Sequence, residues 1–430
     1  MKKKIFFLLK QFLILVLAGA LSGVIVGLYQ LGIQNIVKVS TDFYTSKVPV
    51  FIACLVFLVG VCITFNYLIL NLDKSVNGSG IPTLKTARRN KQKQTWYKDI
   101  PLLMGNSYAS TFAGFTLGSE GPSVVLASKT TDAINAVFKN KDETLEELAE
   151  GVGFGCAFLS PLAGVCYSLE ESLESKITLI KILKVIVLMA IAFLITSLIN
   201  QNNLLTLANF KVLPINTYYV FPFLLIINLL ISWCFIKIIL VLQAFFLKHK
   251  ENALAKYRFV PLFLVTMILN FLILDFMQSG GKLIANIHNY TSLILLLGIL
   301  LLRFSLTALS GNGNVTGGLV IPLMALGAIN GEITSVISTN LFGLDSSYYE
   351  IIALISALML FAFVVQTPFT SLALLFSVSL KFNAPFVDSL MNLPLFALTL
   401  LIGYLLMSRL FKFNSLYEEM IKVNKKAAKC

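Results

Sequence analysis

Long apolar stretches are the feature that most constrains what this sequence can fold into. Runs close to or above the ~20 residues that cross a bilayer as a helix recur along the whole chain. They occupy residues 12–31, 50–72, 221–247, 259–277, 292–309 and 393–410. Charged residues make up only 13% of the chain, about half of their share in a soluble domain. Because helices satisfy their own backbone hydrogen bonds in lipid, the sequence predicts an all-α, multi-pass integral membrane protein.

The first 30 residues also fit a second interpretation, a secretory signal peptide. The lysines Lys2, Lys3 and Lys4 precede an apolar run that contains small residues. That run is longer than a signal peptide requires and the rest of the chain is polytopic, so a membrane helix is the preferred prediction. Glycines at positions 19, 23 and 27 place small residues on one face of this helix, which favours close helix packing.

The net charge of +13 could indicate a protein that binds nucleic acid, but the positions of the basic residues argue against that. They cluster beside apolar stretches, in residues 2–4, 85–98, 176–184 and 422–429. This distribution predicts that both termini are cytoplasmic and that the basic residues contact anionic lipid headgroups. Six cysteines without a CxxC spacing and two isolated histidines, His249 and His288, indicate no metal site, and we expect no cofactor.

No polar linker divides the chain, so we expect one membrane domain over residues 1–430, in approximate halves 1–210 and 211–430. Glycine and proline interrupt two apolar segments, 112–127 and 304–326, which we predict to be too broken to span singly. Residues 119–122 (SEGP) correspond to residues 318–322 (GLVIP), and residues 160–164 (SPLAG) correspond to residues 367–371 (TPFTS). Paired interruptions of this kind are typical of inverted repeats around a site at the membrane midplane.

Three short motifs share one physical design: residues 78–82 (GSGIP), 118–122 (GSEGP) and 317–322 (GGLVIP). In each motif glycine permits a non-helical backbone, and proline then stands where a helix can begin. Such a helix leaves several N–H groups unpaired and carries about half a positive charge at its N-terminus. Three of these ends converging inside a membrane would bind a desolvated anion without a full cation. Any single motif could instead be an ordinary turn between helices.

The chain resembles the CLC family of chloride channels and transporters, from about residue 17 to residue 421. Residues 78–82 match the family's GSGIP motif without change. Residues 118–122 match its G(K/R)EGP motif with Ser119 in place of the basic residue, and residues 317–322 match GGxFxP with Val320 in place of phenylalanine. Residues 158–171 (FLSPLAGVCYSLEE) and 414–417 (NSLY) resemble the segments that carry the family's paired glutamates and pore tyrosine. The implied fold is CLC-like, with two inverted-topology halves of tilted and broken transmembrane helices.

The resemblance implies an anion site built from hydroxyl and backbone donors. Ser79 and Tyr417 correspond to the residues whose hydroxyl groups donate to the central anion. Backbone amides would complete the site, and the residues that supply them are Gly80, Ile81, Gly121, Leu319 and Val320. The change from phenylalanine to valine leaves these donors in place but removes an aromatic wall. The serine in the second motif removes one cation near the outer site.

Two glutamates complete the implied transport machinery. Glu120 corresponds to the family's gating glutamate, whose carboxylate occupies an anion site and swings away when it is protonated. Alternatively, Glu120 is a helix N-terminal carboxylate that the helix dipole stabilises. Glu171 corresponds to the second paired glutamate, which receives cytoplasmic protons in proton-coupled members, although it could also be a cap residue beside Glu170. Ionisable residues in apolar membrane sequence are functional by default, which favours the transport roles.

With both glutamates present, the resemblance implies a homodimeric chloride/proton antiporter in the cell membrane, with one pathway per subunit. A passive voltage- or pH-gated chloride channel of the same family is the nearest alternative. A fluoride exporter is disfavoured because Ser79 stands in the motif of the chloride members. An intramembrane serine hydrolase that uses Ser79 is a remote alternative, because it needs a general base within hydrogen-bond reach. The sequence therefore predicts a transporter rather than an enzyme.

Overall fold

The regular structure of the chain is helical. The computed structural model describes residues 2–46, 78–90, 95–140, 142–171, 177–201, 211–250, 252–381 and 391–427. The predicted span at residues 50–72, Lys91, Lys93, Lys176 and the cysteines at 54, 62 and 430 lie outside these residues. In chain order the helices are α1 (Lys2–Tyr44), α2 (Ile81–Arg89), α3 (Trp96–Phe112), α4 (Glu120–Val137), α5 (Glu143–Ala157), α6 (Pro161–Glu171), α7 (Leu179–Ile199), α8 (Val220–Lys248), α9 (Ala253–Lys256), α10 (Phe259–Ile273), α11 (Gly281–Asn286), α12 (Leu293–Gly311), α13 (Val320–Phe342), α14 (Tyr349–Val365), α15 (Pro368–Lys381), α16 (Leu393–Leu405) and α17 (Leu416–Ala427).

Short turns of tighter or wider helix lie between these elements. Single turns of 3₁₀ helix occupy Ile215–Thr217, Leu274–Phe276, Ile287–Asn289 and Ser346–Tyr348. A π-helical turn over Leu406–Leu410 continues α16.

Eight helical segments in the described part of the chain are long and apolar enough to cross a membrane. They are Leu9–Tyr44, Leu179–Ile199, Ile215–Lys248, Phe259–Asn289, Leu293–Gly311, Val320–Phe342, Ser346–Val365 and Leu393–Leu410. Five of the six predicted spans coincide with them, and the sixth is the span outside the described residues. The prediction of a multi-pass, all-α membrane protein is therefore confirmed.

The three glycines of α1 lie against α7, as their four-residue spacing predicts. A Cβ atom placed at Gly23 would lie 2.6 Å from the carbonyl oxygen of Ala192, so only glycine allows the two backbones to come so close. Thr196 reinforces the contact, because its hydroxyl donates to the Gly23 carbonyl over 3.0 Å. α1 thus packs as a membrane helix within the fold.

Both predicted interruptions fall between consecutive helices. α3 ends at Phe112 and α4 begins at Glu120, and the chain turns between them at Gly114 with a φ of +75°. At the second interruption, α12 ends at Gly311 and α13 begins at Val320. Residues 304–326 are therefore interrupted as predicted, and the two helices to which they belong are each long enough to cross.

The helices from α3 to α7 recur in the same order as α12 to α16, and the two copies run in opposite directions. α4 begins at Glu120 and α13 begins 200 residues later at Val320. Lys10, near the start of the chain, donates to the carbonyl of Phe138 just after the end of α4. By contrast, Phe342 at the end of α13 packs on Tyr219 just before α8, with ring centroids 4.8 Å apart.

These contacts define two faces of the molecule. We call the end that carries Lys10 and Phe138 the N-terminal face. The end that carries Phe342 is the opposite face, since the helix after α13 begins beside His288, and Lys282 of the same segment bonds Thr41 at the far end of α1. α8 runs from the opposite face to the N-terminal face, where Gln243 donates to Asn424 of α17 over 2.9 Å. α4 therefore points from the molecular centre to the N-terminal face and α13 points to the opposite face, as the inverted repeat requires.

Candidate anion-transport site

The three glycine-containing motifs meet at one place in the folded chain. The Gly78 N–H donates to the Val315 carbonyl over 2.9 Å, and the Gly317 N–H donates to the Gly78 carbonyl over 2.9 Å. Gly118 and Gly318 exchange two backbone hydrogen bonds, of 2.8 and 2.6 Å. The starts of α2, α4 and α13 are thereby tied together, so the motifs are not three separate turns.

Gly121, the second residue of α4, lies where these three backbones come closest. A Cβ atom at this position would be 2.9 Å from the Cβ of Ser79 and 2.9 Å from the Cα of Gly318. A Cβ atom on Gly318 would in turn lie 2.5 Å from the Gly121 nitrogen. The site needs glycine here because no side chain fits between the helix starts.

Ser79 is buried between the helix starts, and its Oγ accepts a hydrogen bond from the Ile81 N–H over 3.3 Å. This bond uses the hydroxyl oxygen and leaves the hydroxyl hydrogen free to donate to an anion. Gly80 precedes α2, Leu319 precedes α13, and Val320 is the first residue of α13. N–H groups at such positions have no partner within the helix. The amide of Ile81 differs from its expected role, because it already donates to Ser79.

Tyr417 reaches the same region from α17. Its side chain is 1% exposed, and its hydroxyl has no hydrogen-bond partner among the described residues. The hydroxyl lies close enough to Glu120 and Glu171 for the charges of both carboxylates to act on it. A buried hydroxyl normally has a partner, so the Tyr417 hydroxyl is a candidate donor to a small ligand.

Glu120 is the first residue of α4 and is 1% exposed. Backbone amides of Ser119 and Ile321 interact with its carboxyl group, so the carboxylate lies at the starts of α4 and α13 together. Its Oε2 atom nevertheless has no hydrogen-bond partner in the described part of the chain. A cavity of about 370 Å³ ends at this carboxyl.

The two glutamates at the end of α6 have different partners. Glu170 accepts hydrogen bonds from the N–H groups of Phe369 and Thr370, at 2.7 and 2.8 Å, and thus caps the start of α15. Glu171 instead forms a buried ion pair with Lys85 of α2. The cap interpretation therefore describes Glu170 rather than Glu171.

The ion-pair network around Glu171 was not visible in the sequence, which predicts only a basic cytoplasmic flank after the first motif. Arg88 Nη1 lies 2.5 Å from Glu150 Oε1, and Arg89 Nη2 lies 2.7 Å from Glu418 Oε1. Together with Lys85, these residues recur at helical spacing, so that α2 presents its cations to carboxylates of α5, α6 and α17. That spacing was the signal available in the sequence.

A comparison with protein families identifies the architecture. Residues 61–406 match the family model for the voltage gated chloride channel. The chain belongs to this family, the CLC family. The resemblance inferred from the motifs is therefore confirmed over most of the chain.

Individual relatives agree with the family model. The chain is 25% identical to the H(+)/Cl(-) exchange transporter ClcA of Vibrio cholerae (strain M66-2), over 94% of this chain and 87% of that protein. It is 24% identical to ClcA of Vibrio parahaemolyticus, over 83% of this chain and 79% of that protein.

Solved structures show the same fold. A slow cyanobacterial Cl⁻/H⁺ antiporter superposes with a TM-score of 0.81 at 19% identity, covering 97% of this chain and 98% of its own. A CLC-type fluoride/proton antiporter superposes with a TM-score of 0.76 at 20% identity, covering 96% and 98%. The predicted CLC-like fold with inverted halves is thus confirmed.

Proposed function

We propose that this protein exchanges chloride, or a similar small anion, for protons across a membrane. Membership of the CLC family and the activity named for the ClcA relatives support this class of transport. The convergence of three helix starts supports it locally, because unpaired N–H groups attract a desolvated anion without the tight grip of a full cation. The anion donors in this proposal are Ser79, Tyr417 and the backbone amides of Gly80, Gly121, Leu319 and Val320, since the Ile81 amide donates to Ser79 instead.

The observation that carries the proposal is the buried carboxyl of Glu120 at the meeting point of the helix starts. An ionised carboxylate there occupies the donors that chloride needs. Protonation removes the charge of Glu120, so that the side chain can leave and chloride can bind. Chloride and Glu120 thus compete for the same donors, and this competition links anion movement to proton movement.

In this proposal protons enter at Glu171. The residue ends α6 on the side of the N-terminal face, since Lys184 near the start of the next helix pairs with Asp142, which lies between the end of α4 and the start of α5. Tyr417 lies within the electrostatic range of both Glu171 and Glu120. In this proposal protons pass between the carboxyls of Glu171 and Glu120, past Tyr417. Chloride does not follow this route between Glu171 and Glu120.

The same proposal assigns the N-terminal face to the cytoplasm and the protein to the cell membrane, with both termini inside, as the positive-inside rule favours. Residues 1–430 act as one membrane domain of two halves, in a homodimer with one pathway per subunit. Large apolar side chains are exposed on the membrane helices, such as Leu198 and Ile294, at 81 and 86%. These surfaces favour contact with lipid rather than with nucleic acid.

Two other functions can be distinguished from proton-coupled exchange. A passive chloride channel of the same family would use the same anion site without the proton route. A serine hydrolase is disfavoured, because the histidines contact other groups in the described structure: His288 lies 3.4 Å from Glu350, and His249 bonds the Phe245 carbonyl over 2.9 Å. Ser79 therefore has no base of the kind a nucleophile requires among these residues.

Purified protein in liposomes tests the proposal when chloride and proton movement are recorded together. We expect an imposed chloride gradient to drive protons against their own gradient, and we expect fluoride to drive them poorly. Glu120→Gln resembles the protonated side chain in size and charge, so anion flux should persist, lose most of its pH dependence and stop moving protons. A folded Glu120→Gln protein that still pumps protons would contradict the assignment of Glu120 as the gate.

A further inference from the structure

The cavity that ends at Glu120 opens towards the opposite face of the molecule. Its walls are formed by α1 near Lys38, by α3 at Thr111, and by the loop of residues 277–282 that leads into α11. The far end of α1 marks this face, because α1 begins at the N-terminal face with Lys10 and ends at Tyr44. We call this space the outer vestibule.

Charge in the outer vestibule is asymmetric. Of the described residues that line it, Lys38 and Lys282 are cationic and Glu120, at the bottom, is acidic. Lys282 Nζ donates to the hydroxyl of Thr41 over 3.0 Å. Because Thr41 follows Lys38 by three residues, the two side chains share one face of α1. Lys38 and Lys282 therefore both line the vestibule on its α1 side, in the same cavity as the Glu120 carboxyl.

The second motif contributes no cation here. Ser119 stands at the position where the family pattern has lysine or arginine, and its hydroxyl donates to the side-chain oxygen of Gln30 over 3.1 Å. Gln30 in turn donates to Ser123 over 2.8 Å. Ser119 is therefore a neutral part of the packing between α1 and α4, and the vestibule's positive charge comes from other elements.

The loop that carries Lys282 is held by a buried arginine of α12. Arg303 is fully buried and donates to the carbonyls of four consecutive residues, those at positions 276, 277, 278 and 279. Gly280 follows with a φ of +105°, and a Cβ atom there would lie 2.6 Å from Arg303 Nη2. Arg303 is thus a positioning residue, because it fixes the wall of the vestibule from which α11 and Lys282 begin.

We propose that Lys38 and Lys282 form an outer capture site for small inorganic anions, which concentrates chloride above Glu120 before it enters the central site. This inference rests on the proposed function. Two ammonium groups at the mouth of a narrow cavity with apolar walls attract anions and raise their local concentration and entry rate. Both side chains are exposed, so they hold a hydrated anion loosely and release it towards the donors below. The site replaces the cation that Ser119 lacks with two cations from α1 and α11.

Right-side-out membrane vesicles from expressing cells test the capture site, with entry rates measured against external chloride. At low ionic strength we expect Lys38→Gln and Lys282→Gln each to raise the half-saturating chloride concentration about threefold. Lys282→Glu should raise it further, and Lys282→Arg should behave as the wild type. The differences should shrink when an impermeant salt shortens the screening length to about 3 Å. The number of protons moved per chloride should not change.

Lys211→Gln is the matched control. Lys211 is an exposed lysine at the same face, where its charge interacts with Asp345 just beyond the end of α13. It does not line the vestibule. Variants of Lys38 and Lys282 that cannot be distinguished from this control would overturn the capture site. The capture site would also be overturned if these variants changed chloride entry equally in inside-out vesicles, where the vestibule faces the lumen. Wild-type chloride entry without proton movement would instead overturn the proposed exchange, while the effect of the lysines on chloride affinity would still be measurable.

Discussion

The hydroxyl oxygen of Ser79 already accepts a hydrogen bond, whereas its hydrogen is available to donate one. Its oxygen accepts from the Ile81 amide, and its hydroxyl donates to none of the residues that the structure describes. Ser79→Ala should remove a charge-assisted hydrogen bond to the anion, which contributes about 1.5–3 kcal/mol. We expect calorimetry to show chloride affinity reduced about ten- to a hundredfold. Nitrate, which is less strongly hydrated, should lose less than chloride. Unchanged affinity and selectivity would remove Ser79 from the site.

Lys85 was predicted only as part of a basic flank, yet it pairs with the proposed proton acceptor. The carboxyl of Glu171 faces Lys85 from α2, Glu150 from α5 and Glu418 from α17, and the phenols of Tyr167 and Tyr417 lie near it. Lys85 is the cation whose hydrogen bond reaches it. The ammonium favours the ionised carboxylate, so a proton that arrives at Glu171 must displace this ion pair.

Replacing Lys85 should therefore change when Glu171 takes up protons. Lys85→Met removes the cation that favours the ionised form, so proton uptake should extend to higher pH. We expect the pH profile of chloride-driven proton flux to move in the alkaline direction, while chloride flux continues. Lys85→Arg should keep the wild-type profile. Lys422→Met is a suitable control, because Lys422 is exposed and pairs with Glu419 over 2.6 Å. A profile identical to wild type in Lys85→Met would exclude this role.

At the scale of elements, the places where helices begin are the most predictable part of the fold. Gly80, Glu120 and Val320 mark the starts of α2, α4 and α13, and all three follow from local chemistry. Glycine permits the turn and proline suits the first turn of a helix, so neither depends on distant contacts. The backbone amides proposed as anion donors follow from these helix starts, whereas Ser79 and Tyr417 were assigned from the family resemblance.

The partners of charged side chains were the unpredictable part. Lys85 and Glu171 are 86 residues apart in sequence, and Arg303 reaches carbonyls at residues 276–279 through tertiary packing. The helical spacing of Lys85, Arg88 and Arg89 indicates that they share one face, but it does not identify their partners, because those depend on how separate helices meet. The same limit applies to residues 304–326, since local hydropathy shows the interruption but not the full length of the two helices on either side of it.

Close packing between the helix starts gives a prediction at this scale. In Gly121→Ala the new methyl group would lie 2.9 Å from Ser79 Cβ and from Gly318 Cα, so the starts of α2, α4 and α13 must separate. Overpacking of this kind costs about 1–3 kcal/mol. We expect chloride binding to weaken strongly and thermal stability in detergent to fall.

Gly298→Ala supplies the comparison. Nothing lies within 4 Å of a Cβ atom at Gly298, which is in the interior of α12. Alanine is the better helix former, so this variant should keep chloride affinity and be as stable as the wild type or slightly more stable. Equal chloride affinity in Gly121→Ala and Gly298→Ala would show that the meeting of the three helix starts is not needed for anion binding.

At the scale of the whole molecule, the inverted halves place the proposed anion site between the two faces, with a proposed entrance on each side. α4 runs from the centre to the N-terminal face and α13 runs to the opposite face, so their N-termini point at one another. The outer vestibule reaches Glu120 from one side. Glu171 and its ion pairs lie on the other side, near α17 and the end of α8. Proton entry and chloride entry can thus be disturbed separately.

The last prediction uses this separation to distinguish an exchanger from a channel. Glu171→Gln keeps the size and polarity of the side chain but cannot carry a proton, so chloride-driven proton movement should stop while chloride flux continues. Glu170→Gln is the neighbouring control. Its side chain retains an oxygen that accepts from the start of α15, so chloride-driven proton movement should persist. Stability should fall somewhat, because a neutral cap interacts less with the helix dipole. Liposome assays with simultaneous chloride and pH recording measure both. Wild-type coupling in Glu171→Gln would mean that protons take another route. Chloride flux without protons in the wild type, at every imposed pH gradient, would identify a channel.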